Sequence, residues 1–182
     1  DLKPSNVLLA PKATAAQVAP DELPFVPRLT DFGLAKVVEG DLCETPASAV
    51  LGTPLYMAPE QAMGRVGDIG PPTDVYALGA VLYQLLFSRP VFDSPGGLGE
   101  VLAKTVHEPP RFPRRRGERI PSELERIISR CLKKRVSERY ASAKDLAEDL
   151  ETFLRRGRYK VPLWTGTAAA ALLAIVLILL AK

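Results

Sequence analysis

The chain of 182 residues carries one histidine and two cysteines. Cys43 and Cys131 lie far apart with no second pair, which excludes a disulfide framework, and His107 alone cannot complete a zinc cluster. The thiols fit a reducing compartment, and Cys131, at helical spacing with Leu124, Ile127, Ile128 and Leu132, reads as a core residue. Charge of one sign is scarce as well, with 24 basic and 21 acidic residues leaving a net +3, and aromatics make up only 7%. Because the arginines are scattered among acids rather than interleaved with aromatics, no nucleic-acid partner is expected. Long apolar runs are absent with one exception.

What is present is the composition of an ordinary globular domain, 47% hydrophobic and 25% charged, long enough for one sizeable core. The exception is Val161 to Ala181, VPLWTGTAAAALLAIVLILLA, which has no charged side chain. As a helix its length would span roughly 30 Å, the thickness of a bilayer's hydrocarbon core, so residues 161–181 are expected to form a transmembrane helix. The alternative is a buried core helix or an apolar tail. Arg155, Arg156, Arg158 and Lys160 form a basic linker over 155–160, whereas only Lys182 lies on the far side. That asymmetry puts the preceding domain in the cytoplasm, and Trp164 suits the interface on the same side. The other apolar stretch, VYALGAVLYQLLF from Val75 to Phe87, is shorter and carries Gln84, so it reads as a core helix.

Elsewhere the chain is punctuated by turn chemistry. NVLLA reads as a short strand and RLTDFG supplies a second, with the Ala- and Pro-rich stretch Pro11 to Pro27 as a long loop between them. Ser122 with Glu125, and Ser142 with Asp145, have capping-box spacing and are expected to start two helices. In the second, Leu146, Leu150, Phe153 and Leu154 are expected on one face, with the helix ending near Gly157. The region Ser88 to Arg119 reads as irregular connections with one short helix near Leu98 to Val106. Its RFPRRRGER run is read as a solvated face.

The first residues, DLKPSN, place Asp1, Lys3 and Asn6 at close spacing. DFG follows about two dozen residues later at Asp31, Phe32 and Gly33, then GTPLYMAPE from Gly52 to Glu60, DVYALG from Asp74 to Gly79, and Arg139 in SERYAS. Five motifs in this order over residues 1 to about 154 resemble the eukaryotic-type serine/threonine protein kinases. The wording GTPLYMAPEQA and the apolar run after it look most like the bacterial receptor-like members. The resemblance implies an α+β, mainly α fold: a partial kinase-like C-terminal lobe over 1–154, followed by the linker and the transmembrane helix. It also implies a kinase transferring the γ-phosphate of ATP, with Mg²⁺, to Ser or Thr hydroxyls of protein substrates, anchored in the cell membrane and touching its lipid through the C-terminal helix.

Phosphoryl transfer needs positioning and charge neutralisation more than covalent chemistry, which explains the residue types. By the resemblance, Asp1 is the catalytic base and Lys3 reaches the γ-phosphate. Asn6 and Asp31 supply hard oxygen ligands to Mg²⁺. Thr53 resembles the threonine bonded to base and lysine, Asp74 the aspartate that pins the catalytic-loop backbone, and Glu60 and Arg139 a pair forming a buried ion bridge. Between Asp31 and Glu60 lies the activation segment, where Thr45 and Ser48 are candidate phosphosites or unmodified loop hydroxyls. The glycine-rich loop, the lysine pairing the α- and β-phosphates, its glutamate partner and a His-Arg before Asp1 all belong upstream. The chain is therefore expected to be a fragment that neither holds nucleotide well nor catalyses alone. A pseudokinase and a membrane-bound interaction module are the alternatives of other classes.

Overall fold

Lys3 is extended, as a residue before proline prefers, and Pro4 then opens a single 3-10 turn, Pro4–Asn6, in a computed structural model that describes residues 2–11, 25–30, 54–113 and 120–156. The turn closes with the Val7 amide donating to the Pro4 carbonyl and delivers the chain into β1, Val7–Pro11. β1 pairs antiparallel with β2, Phe25–Leu29, in a register that sets Val7 opposite Leu29 and Pro11 opposite Phe25. The Thr30 amide donates to the Asn6 carbonyl at 2.9 Å, so by the alternation of antiparallel ladders the even-numbered residues of β2 bond to β1. Pro27 falls on the non-bonded side, where its missing N–H costs the ladder nothing. The strands therefore take Pro11 and Phe25–Pro27 out of the stretch expected as loop. Leu8 and Leu9 are each 55% exposed, because no further strand or helix covers this two-stranded hairpin among the described residues.

The remainder is helical. The one-turn α1, Pro59–Ala62, precedes the long α2, Pro71–Phe87. α2 begins four residues before the expected Val75, since Pro71 and Pro72 suit a first turn that has no need of their amides. From Val75 to Tyr83 every residue is buried, as fits a helix apolar all round at the centre of a domain. It ends at Ser88, whose left-handed φ of 54° breaks the helix. Then come α3, Leu98–His107, α4, Ser122–Cys131, and α5, Ala143–Arg155. α4 and α5 pack on α2 and on each other, while α3 packs on α1 and on the 3-10 turn Pro54–Tyr56. Tyr76, Tyr83, Ile127, Ile128, Leu132, Leu146 and Leu150 are fully buried between them, as is Cys131.

The capping expectations divide. At α5 the box forms: the Asp145 amide donates to Ser142 Oγ at 3.2 Å and the Ser142 amide donates to Asp145 Oδ2 at 2.9 Å. At α4 it does not, because the cap position is Pro121 and Ser122 is already helical, so its hydroxyl lies past the amides it would have to reach. In α5 the buried face is Leu146, Ala147, Leu150 and Phe153; Leu154, expected with them, is exposed because α4 and α2 cover only part of the helix. No helix among the described residues is long and apolar enough to cross a membrane. The run 161–181 lies outside those residues, as does the Arg114–Arg119 part of the RFPRRRGER stretch.

Candidate active site

The Pro4–Asn6 turn and the hairpin bring the two ends of a 24-residue separation together. The Asn6 carbonyl accepts from the Thr30 amide and from Thr30 Oγ1 at 3.3 Å, and the Asn6 amide donates to the Lys3 carbonyl at 3.0 Å. Asn6 is buried and Lys3 half-buried, and neither residue is without a partner. Position 6 is thus locked both to position 3 within the turn and to position 30 across the hairpin. Asp1, Asp31, Thr45, Ser48 and Thr53 lie outside the described residues, Asp31 directly after Thr30 in sequence. Asp74 stands exposed in the first turn of α2, without a bond to residues 2–6. Among the described residues no group of three His, Cys, Asp or Glu side chains is arranged to hold a metal ion.

The second constellation is built around Arg139 and is fully described. Its Nη1 donates to Glu60 Oε1 at 2.8 Å and its Nη2 to Glu60 Oε2 at 2.7 Å, with both side chains almost wholly excluded from solvent. Nη1 also donates to the Pro72 carbonyl, Nη2 to the Lys134 carbonyl and Nε to the Lys133 carbonyl, at 3.0, 3.2 and 2.8 Å. A guanidinium has five N–H donors, so every one is matched. Thr73 Oγ1 donates to Glu60 Oε1 at 2.8 Å and accepts from the Gly70 amide at 3.1 Å, and the Tyr76 ring lies 5.0 Å from the Arg139 carbon. Burial raises the Glu60 carboxyl's proton affinity, but the bonds from Arg139 and Thr73 outweigh it and hold the pKa below the ordinary value. Glu60 is therefore an anion at neutral pH.

This network joins α1, the start of α2 and the segment between α4 and α5. It fixes the end of the Asp31–Glu60 stretch onto the helical body. A further bond does the same for the turn before it, where Tyr56 Oη donates to Gln84 Oε1 on α2 at 2.5 Å. Motif reading had no access to Thr73 or to the three carbonyls. Thr73 sits at the third position of a Pro-Pro-Thr helix start, a spacing that would have drawn notice as a cap but not as a partner of Glu60.

The family profile described as Protein kinase domain matches residues 1–150. The chain belongs to the protein kinase domain family. It is 38% identical over 142 residues to serine/threonine-protein kinase Pkn1 of Myxococcus xanthus, covering 78% of this chain and 19% of that protein. It is 36% identical over 167 residues to the DNA damage-responsive serine/threonine-protein kinase RqkA of Deinococcus radiodurans, covering 88% of this chain and 23% of that protein. To serine/threonine-protein kinase PknB of Mycobacterium leprae it is 35% identical over 152 residues, covering 82% of this chain and 22% of that protein. The chain spans about a fifth to a quarter of the length of these relatives. Within the kinase family, then, its described residues comprise the turn and hairpin carrying Lys3 and Asn6 and the helical body held by Glu60 and Arg139.

Proposed function

We propose that the protein containing this chain is a serine/threonine protein kinase that transfers the γ-phosphate of ATP to protein hydroxyls. The observation that carries the reading is the lock of Asn6 onto Thr30, which supports a site where Asn6 and the neighbouring Asp31 act together. Their amide and carboxylate oxygens are the hard donors that suit Mg²⁺, which would supply charge neutralisation on the phosphate oxygens. Asp1 orients the acceptor hydroxyl and takes its proton, and Lys3 holds the transferred group. Thr53 steadies Asp1 and Lys3, while Asp74 serves the catalytic-loop backbone in the longer protein. Phosphorylation at Thr45 or Ser48 orders the activation segment against its Glu60 anchor. The test is Asp1→Asn in the full-length kinase, which should reduce transfer by several orders of magnitude with ATP binding largely kept. Near-normal substrate phosphorylation by that variant would remove the assignment.

The same proposal places residues 161–181 across the cell membrane, in contact with its lipid, with the kinase domain in the cytoplasm. It rests on the uncharged apolar run and on the basic flank that starts at Arg155 and Arg156. Reporters fused before Asp1 and after Lys182 test it: the first should be active only in the cytoplasm, the second only outside. Recovery of the intact protein in the soluble fraction would refute the anchor.

A further inference from the structure

Between the segment that follows α2 and the end of α3 lies a cleft of about 350 Å³, none of whose lining comes from the catalytic turn, the hairpin or the Glu60–Arg139 network. Arg89 and Asp93 stand on one wall, Lys104, Glu108 and Arg111 on the other, and the buried Phe92 contributes apolar surface. These charges are not equally engaged. Lys104 is held by Glu100 at 2.8 Å and by the Asp93 carbonyl at 3.1 Å, whereas Glu108 makes no ion pair among the described residues and is only within electrostatic reach of the Lys134 ammonium. The guanidiniums of Arg89 and Arg111 form no ion pair or hydrogen bond among the described residues. Two exposed guanidiniums are thus left beside Asp93, whose carboxylate also makes no ion pair or hydrogen bond among the described residues.

The walls are firm. The Arg111 carbonyl accepts from Tyr83 Oη at 2.5 Å, and the next residue, Phe112, packs on the Tyr83 and Phe87 rings of α2 at 5.8 and 6.0 Å. Lys134 lies over the Phe92 ring at 4.5 Å and donates to the Thr105 carbonyl at 2.5 Å. With the body of the recess held in this way, binding has mainly the two arginine side chains to order. Two guanidiniums suit carboxylates, each as a two-point fork. An apolar floor beside Asp93 suits a peptide, whose amides can donate to that carboxylate, better than a bare anion. The position matters as well, because α3 packs on α1 and on the Pro54–Tyr56 turn, which begins directly after Thr53. A chain held in the cleft is tethered to the body that anchors the activation segment, and tethering raises the local concentration of its acceptor hydroxyl.

We propose that this cleft docks an acidic segment of the kinase's protein substrate through Arg89 and Arg111. The proposal rests on the kinase reading above for the word substrate, and its binding arm needs no turnover. The probes are a fluorescein-labelled alanine nonapeptide carrying three glutamates and the same peptide with glutamines, measured by anisotropy against the full-length protein without ATP. The glutamate peptide should bind roughly tenfold tighter, and Arg89→Glu with Arg111→Glu should abolish that difference, as should the charge-neutral pair Arg89→Gln with Arg111→Gln. In the turnover arm, an acceptor peptide joined to the glutamate segment by a flexible linker should show a lower KM at unchanged kcat. The double variants should lose that gain while phosphorylating the unextended peptide as the parent does. Equal binding of both probes, or a difference that survives the double variants, overturns the proposal. So does binding of phosphatidylserine vesicles, and not of the glutamate peptide, that depends on the two arginines. If neither acceptor peptide is phosphorylated but the glutamate probe binds as expected, the kinase reading fails and the cleft stands.

Discussion

The carboxylate of Glu60 and the guanidinium of Arg139, 79 residues apart in sequence, meet in two parallel bonds of 2.8 and 2.7 Å inside the helical body. A buried ion pair adds little net stability over an apolar replacement, but removing one partner strands the other in a medium that cannot solvate it. Arg139→Leu or Glu60→Met should therefore each destabilise the kinase domain by roughly 3 to 5 kcal/mol, measured by urea unfolding. The double replacement should cost clearly less than the sum. Additive losses would mean that the two residues act through other partners.

Acid should act through the same pair. The folded-state pKa of Glu60 lies below its ordinary 4.5, so its contribution to stability is fully present above that value and is lost as pH falls through the lower, folded pKa. Unfolding midpoints of the parent protein should drop on acidification below pH 4.5, and the Glu60→Met, Arg139→Leu double variant should drop less over that window. Parallel acid curves for the two proteins would contradict this.

At the opposite end of the pH range, burial lowers the pKa of Lys134 to about 8, from an ordinary 10.5. Because the unfolded chain then holds more protons between those values, stability should rise as pH increases from 8 towards 10.5, and replacing Lys134 with methionine should flatten that rise. An NMR titration of the lysine side chains provides the direct measurement. Lys134 titrating with the exposed lysines would overturn the expectation.

Gly79 marks the closest approach of α2 and α4. A methyl group there would run into Cβ of Cys131, well inside contact distance. Gly79→Ala should cost roughly 1 to 3 kcal/mol by overpacking, against the gain of helix propensity that alanine brings elsewhere. The offending atom is Cβ itself, so Cys131→Ala should not rescue the variant, whereas Cys131→Gly should restore part of the loss. Thermal unfolding of the four proteins separates these outcomes.

On the proposed assignment, Asp31→Ala in the full-length protein should weaken Mg-ATP binding as well as turnover, unlike Asp1→Asn, because it would remove a ligand of the ion rather than the group that would orient the hydroxyl. Binding of Mg-ATP by calorimetry checks it. Unchanged affinity with lost turnover would move Asp31 from the metal to the acceptor side.

What was legible in the sequence is what depends on order or on near neighbours. The five motifs in succession establish the kinase family, and the Ser142–Asp145 box forms as its spacing implies, since its two bonds close within one helical turn. The core helix was visible for a similar reason: the apolar run from Val75 to Phe87 is too short to cross a bilayer and carries Gln84, so it packs inside. The tertiary structure decided everything that needs a distant partner or a neighbouring surface. Ser122 has the same spacing to Glu125, yet the chain enters α4 one residue earlier, at Pro121, and the cap is lost. Leu154 continues the apolar face of α5 but lies past the edge that α2 and α4 cover. Arg139 completes its five bonds only because folding brings Glu60 and the carbonyls of Pro72, Lys133 and Lys134 around it, and Thr73 joins them for the same reason. A sequence names donors and acceptors; which of them are desolvated together, and so must find each other, is settled by how the helices pack.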